Sequence, residues 1–297
     1  MEPSPTVARI LDGLVDLHCH SGPGPFPREF DHVDGARDGQ RIGMRAFVAK
    51  SHHHNTVMDL RAAHRSFEGI TTRVFGGIVL NNQVGGINPY AVEMCLRMGG
   101  KVVWFPTFSS RRHIEHQEAA LAAGFPRSAV PLTTVPVLIH DDEGRLRPEV
   151  AQVADVVAET GAVLNGGHLH PDDMAEVFEV AAGRGVQRMV ASHPNFISDL
   201  TIAQGVALAE RGVFMEHEVG MYLPHDHQHF GLEVLLEWIE AVGVERTVLA
   251  SDLGQVGRTR PVDAFIEVTT ALLDHGVAEK DLRRMLVDNP TYLLDLD

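Results

Sequence analysis

The 297-residue sequence has only two cysteines, Cys19 and Cys95, far apart in the chain, which excludes a disulfide framework and fits reduced thiols. It is also short of positive charge. Twenty-five lysines and arginines face 40 acidic residues, and the resulting formal charge of −15 repels phosphate backbones and anionic lipid. Nucleic acid and membrane surfaces are therefore not expected partners. No apolar run reaches the roughly 18 residues that span a bilayer, and the opening MEPSPTVARI lacks the basic-then-apolar layout of a signal peptide, so a cytoplasmic location is expected. Repeats, low-complexity tracts and Ser- or Pro-rich linkers are absent too, so residues 1–297 are expected to form one domain.

What the chain has in excess is histidine. There are 18, and five pairs stand two residues apart (His18/His20, His52/His54, His168/His170, His225/His227 and His227/His229), where chance spacing gives about one. Short β-rich runs alternate with amphipathic helical patterns from end to end. The strand candidates are GLVDLHCH, RAFVAKS, TRVFGGIVLN, KVVWFPT, GAVLNGGH, RMVASH, GVFMEHEV and RTVLASD. Between them, Val150, Val153, Ala154 and Val157 recur at helix spacing, as do Leu232, Leu235, Leu236 and Ile239, and Val262, Phe265 and Ile266. Eight βα units in this length predict an α/β fold, a single (β/α)8 TIM-like barrel; a doubly wound open sheet is the alternative. Residues 107–147 are long for a βα connection and hold DDEGRL as a hairpin turn, so they are expected to form a rim or lid after strand four.

In such a barrel chemistry sits at the C-terminal strand ends, and that is where the unusual polar residues fall. His18 and His20 close strand one, and the period of two puts both on one face with Cys19 on the other. His168 ends strand five, His193 ends strand six and Asp252 ends strand eight. Imidazoles with a carboxylate are the ligand set of a divalent ion with an open water position. Such an ion brings a bound water's pKa to about 7, and Asp252 is expected to take the proton. The ion expected is zinc, with manganese or iron as alternatives, one ion being favoured over two. His170 is set aside for His168, because Pro171, Asp172 and Asp173 mark a helix start that leaves His170 in the turn.

The order of these motifs resembles the amidohydrolase superfamily of metal-dependent hydrolases: H-x-H on strand one, His on strands five and six, Asp on strand eight. The closing DNPTYLLDLD is similar to an ending common in that group. The resemblance implies that His18 and His20 bind metal, that His168 and His193 bind metal or polarise the substrate, and that Asp252 binds metal and shuttles a proton. The sequence departs from the pattern at strand four, where KVVWFPT ends in Trp104, Phe105, Pro106 and Thr107 in place of a bridging lysine or glutamate. A single ion is the first reading, with Glu216 on strand seven available as a further ligand.

Several other residues are candidates. With only three lysines against 22 arginines, Lys50 at the end of strand two is a candidate catalytic, substrate-binding or carbamylated residue, or the cation of a buried ion pair. His52, His53 and His54 follow it, and together with the H-x-H they resemble the polymerase and histidinol phosphatase family, which implies a phosphoesterase alternative. The loop from Pro224 to His229 either lines the pocket or is solvated. Arg111, Arg112, Arg258 and Arg260 are either exposed charge or a clamp for an anionic substrate. The run GPGPFPREF after strand one is read as a rigid turn that shapes the pocket without supplying a chemical group. The expected activity is hydrolysis of a small-molecule amide, lactam, lactone or ester by a metal-activated water. The rivals are a decarboxylase or lyase using the same site and, outside enzymes, a histidine-rich metal-binding protein. Pairing of two copies through outer helices is a further expectation.

Overall fold

The computed structural model describes residues 1–122, 128–224 and 228–296, with the side chains of 117–122 outside the described set. All eight predicted strands form, each shorter than its apolar run: β1 (Val15–Cys19), β2 (Ala46–Ala49), β3 (Arg73–Val79), β4 (Val102–Trp104), β5 (Val163–Asn165), β6 (Met189–Ser192), β7 (Val213–Glu218) and β8 (Thr247–Ala250). Every neighbouring pair is parallel, in the order β1 to β8. The ring closes where the His20 amide donates to the Leu253 carbonyl at 2.8 Å and the Asp252 amide to the His18 carbonyl at 2.7 Å. This is the (β/α)8 barrel that the strand-helix alternation predicts.

The helices are α1 (Pro5–Leu11), α2 (His32–Gly39), α3 (Val57–Ala62), α4 (Pro89–Arg97), α5 (Arg111–Ala122), α6 (Pro148–Thr160), α7 (Pro171–Gly183), α8 (Ile202–Glu210), α9 (Leu232–Val242), α10 (Pro261–Asp274), α11 (Glu279–Arg283) and α12 (Asn289–Leu294). The predicted apolar stripes face inward: Val150, Val153, Ala154 and Val157 of α6 are buried, as are Val262, Phe265 and Ile266 of α10. In α9, Leu235 and Ile239 are buried, while Leu232 and Leu236 pack partly buried beside them.

Two apolar layers lie between strands and helices, and a third fills the barrel itself with Val15, Leu17, Ala46, Val48, Val102, Val163, Val190, Phe214 and Val248. Leu293, Leu294 and Leu296 of the closing segment belong to this inner layer and plug the end of the barrel opposite the site. Above the apolar layer the inward positions turn polar: Lys50, Trp104, Asn165, Ser192 and Glu216 are all buried. The segment after β4 contains α5 and then an extended stretch. Its DDEGRL turn forms as expected, with the Asp141 amide donating to the Arg145 carbonyl at 2.9 Å beside a His140–Leu146 antiparallel bridge.

Candidate functional site

The site begins with an irregularity in β1. Val15 and Leu17 face the barrel interior, yet Cys19 lies in the outer layer, because the register against β2 shifts between Asp16 and Cys19. A bulge of this kind re-aims side chains. Here it turns both His18 and His20 toward the mouth, as the H-x-H spacing predicts. The Asp16 carboxylate fixes the bend by accepting from the amides of His18 (3.0 Å) and Ser251 (2.9 Å).

His18 is fully buried at the centre. Its Nδ1 lies 3.0 Å from Glu216 Oε1, which also accepts from Ser192 Oγ at 2.6 Å. Its Nε2 lies 2.8 Å from Lys50 Nζ and 3.1 Å from Asp252 Oδ1. Burial and the Lys50 ammonium push the His18 imidazolium down, but Asp252 and Glu216 outweigh them and hold it well above the usual value.

His20 offers the sharpest test of what the site can hold. Its Nδ1 is 3.0 Å from the Lys50 carbonyl oxygen, which can only accept, so Nδ1 carries the hydrogen. Burial pushes its pKa down to about 3, so the ring is neutral and Nε2 presents a lone pair. That lone pair faces Asp252 Oδ1 at 2.9 Å. The Asp252 carboxyl is itself held well below the usual range, burial being outweighed by His18 and His193, so it is an anion. Two acceptors at this distance repel unless a cation lies between them. Donors about 2.1 Å from a shared divalent ion stand roughly 3.0–3.4 Å apart, close to the 2.9 Å from Asp252 Oδ1 to His20 Nε2. The residues therefore fit a divalent cation.

His193 and Asp252 hold the left-handed backbone, with φ of 50° and 52°. Non-glycine residues reach that region at a cost of about 1 kcal/mol or more, and such strain gathers at functional sites. It turns both side chains back over the mouth, where ligand atoms of His18, His193 and Asp252 lie within 4.8 Å of one another. His18, Glu216 and Glu218 form a second group of that size. The His193 amide donates to Glu218, whose carboxyl burial would raise but His193 and His18 draw down to about 2.

His168 is buried, its Nε2 has no partner, and its Nδ1 lies 2.9 Å from Nδ1 of His113 on α5. Between two neutral rings one nitrogen donates and the other accepts, so this contact selects the His168 tautomer. His170 is the exposed N-cap of α7, accepting from the Asp172 amide, while His168 lines the cleft.

Lys50 is 1% exposed, with Nζ 5.4 Å from the Trp104 ring centre, and it does not line the cleft. Burial lowers its pKa to about 8 despite the nearby carboxylates of Asp252, Glu216 and Glu218. Its position is that of a buried cation beneath His18.

Above this floor opens a cleft of about 820 Å³, counting its mouth. Of the three histidines after β2, His52 lines it, with Nδ1 2.8 Å from Thr107 Oγ1, while His53 stacks on Phe26 and His54 turns away to Asp59. Asn81 braces this wall through bonds to the His52 carbonyl, Thr107 and Ser109. His229 and Arg258 line the cleft; His225 and His227 lie outside the described residues. Arg112 pairs with Asp199, and Arg260 stacks over Phe30, both away from the cleft. One reading is corrected: GPGPFPREF does supply chemical groups, because Phe26 and Arg28 both line the cleft. Sequence reasoning also passed over His113, which sits on a helix rather than at a strand end, although His116 three residues on is a spacing signal that could have drawn attention to it.

No curated protein matches the chain. Among solved structures it is similar to an amidohydrolase from Pseudomonas aeruginosa, at 12% identity over 99% of this chain and 100% of that one, TM-score 0.61. It is also similar to a phosphotriesterase homology protein from Escherichia coli with phosphate in its active site (14%, 96% and 99%, TM-score 0.56). A putative 2-pyrone-4,6-dicarboxylic acid hydrolase from Pseudomonas putida is a third (13%, 95% and 97%, TM-score 0.54). At such identities the likeness establishes a shared fold, the (β/α)8 barrel. The model of DUF6282, a family of unknown function, matches residues 13–216, more than half of the sequence, and the chain belongs to that family.

Proposed function

We propose that this chain is a metal-dependent hydrolase of a small-molecule amide, lactam, lactone or ester. The observation that carries the reading is the convergence of His20 Nε2, at 2.9 Å, and His18 Nε2, at 3.1 Å, on one carboxylate oxygen of Asp252 at the floor of the cleft. The residues we assign to the ion are His18, His20, His193 and Asp252, with His168 as a ligand or a substrate contact. Zinc suits a set of imidazoles and one carboxylate, and manganese or iron are the alternatives. A divalent ion held there supplies an acidified water, with a pKa of about 7, and a Lewis acid for the scissile carbonyl.

The remaining work falls to the chain's own groups. Asp252, 21% exposed and lining the cleft, is the carboxylate of the floor that reaches substrate. It takes the proton from the attacking water as the new carbon–oxygen bond forms, and returns it to the nitrogen or oxygen that leaves. The unpartnered Nε2 of His168 is suited to orienting the substrate oxygen. Glu216 accepts from His18 Nδ1, which makes Nε2, once the ring has given up its second proton, the nitrogen that would hold the ion. Lys50, buried between His18 and Trp104, we assign to balancing the charge of Asp252, Glu216 and Glu218 rather than to substrate.

The test is a hydrolysis screen of amides, lactams, lactones and esters, followed by chelation and return of zinc or manganese. Activity that disappears with the metal and returns with it is expected, and full activity in metal-free protein would contradict the proposal. A chain that binds metal yet turns over nothing in the screen would instead be the metal-binding protein that is the rival outside enzymes.

A further inference from the structure

Arg28 is a half-buried cation whose guanidinium makes no hydrogen bond among the described residues, although it feels the charge of Asp252. Its backbone is pinned by an antiparallel bridge to Gln255, and the neighbouring Glu29 amide donates to the Gly254 carbonyl at 2.9 Å. Its Cβ packs 3.3 Å from where a Cβ on Gly22 would stand. The guanidinium lies 5.8 Å from the Phe26 ring centre and lines the cleft. Among the described residues no carboxylate or carbonyl accepts a hydrogen bond from it. Five N–H donors are thus held at the wall of a cleft with no protein acceptor, which is costly unless water or a ligand meets them.

The walls around it are apolar and flat. Phe26 and Phe108 meet edge to face at 5.5 Å, and Phe108 stacks on His52 at 3.9 Å. Phe196 and Met221 also line the cleft. Arg258 is the other guanidinium there, and it already has a partner. One unpaired fork suits a monoanion with two coplanar oxygens better than a phosphate dianion.

We propose that Arg28 binds a carboxylate of the substrate by a two-pronged contact, while the flat unsaturated body of that substrate lies against Phe26 and Phe108. The assignment rests on the cleft being the substrate site of the proposed hydrolase, and it narrows the substrate class to carboxylate-bearing, ring-containing amides or esters.

The probe is benzoate, with benzamide as its uncharged counterpart, titrated by calorimetry into the full chain as purified. Benzoate is expected to bind at least tenfold more tightly than benzamide. Arg28→Met should weaken benzoate at least tenfold without changing benzamide, and Arg28→Lys, which keeps the charge and loses the fork, should fall between. Thermal melting of each variant establishes that it is folded, and Arg28→Lys serves if Arg28→Met is not. Equal binding of benzoate and benzamide, or benzoate binding untouched by either substitution, overturns the proposal; the second result means that the carboxylate docks on a metal or elsewhere. Failure of wild type to bind benzoate at about 20 mM, a concentration reached by even weak ligands, also counts against it. Metal content measured on the same samples separates the two claims, since a metal-free, inactive protein would contradict the hydrolase while leaving the Arg28 dependence of benzoate binding to be read on its own.

Discussion

At the scale of the residue, His18 presents its two ring nitrogens to different tasks. Nδ1 meets Glu216 at 3.0 Å, and Nε2 meets Lys50 Nζ at 2.8 Å and Asp252 Oδ1 at 3.1 Å. A carboxylate behind a ligating histidine sets its tautomer, and removing such a partner typically weakens metal binding about 10- to 100-fold. Glu216→Gln is therefore expected to lower metal affinity by that factor while the protein keeps its fold, as measured by competition with a chromophoric chelator. Unchanged affinity would mean that Glu216 does not act on His18. Alternation along a strand made the shared face of His18 and His20, and the inward side of Glu216, legible, whereas His168, His193 and Asp252 were read from their place just past a strand end, and the left-handed backbone that aims the last two has no local signal. Arg28 and His113 were not legible. One sits in an irregular loop and the other on a helix, and their approach to the site depends on tertiary packing that no local period encodes.

At the scale of the element, the barrel was legible because the eight strands are apolar runs bounded by turn residues and the helices α6, α9 and α10 carry stripes at helix spacing. The bulge in β1 was not, since Asp16 bends the strand through amides of its own strand and of Ser251, a residue 235 positions away. The seam between β1 and β8 depends on close backbone approach as well. Gly254 has φ of +136°, and a Cβ there would collide with the His20 carbonyl oxygen. Gly254→Ala should push His20 and Asp252 apart and destabilise the chain by about 2 kcal/mol or more, read as a lower urea midpoint together with reduced metal binding. A variant that keeps both would show that the seam tolerates movement without consequence for the site. The segment 107–147 is expected to be a rim from its length, and residues 123–127 of it lie outside the described residues. Its contribution of His113 to the site follows from α5 lying over the mouth.

At the scale of the whole molecule, the shared barrel leaves the chemistry to be decided by what the mouth holds, since one such fold supports many reactions. The deficit of positive charge observed at the outset has a local counterpart. Asp252, Glu216 and Glu218 crowd around His18 with Lys50 as the buried ammonium among them. The central claim is that His18, His20, His193 and Asp252 hold one divalent ion. Elemental analysis of protein saturated with zinc and freed of excess tests it most directly. The account predicts about one zinc per chain, and loss of that zinc in both His20→Ala and Asp252→Asn. No bound metal in the wild-type chain, or a full complement retained in both variants, would contradict it.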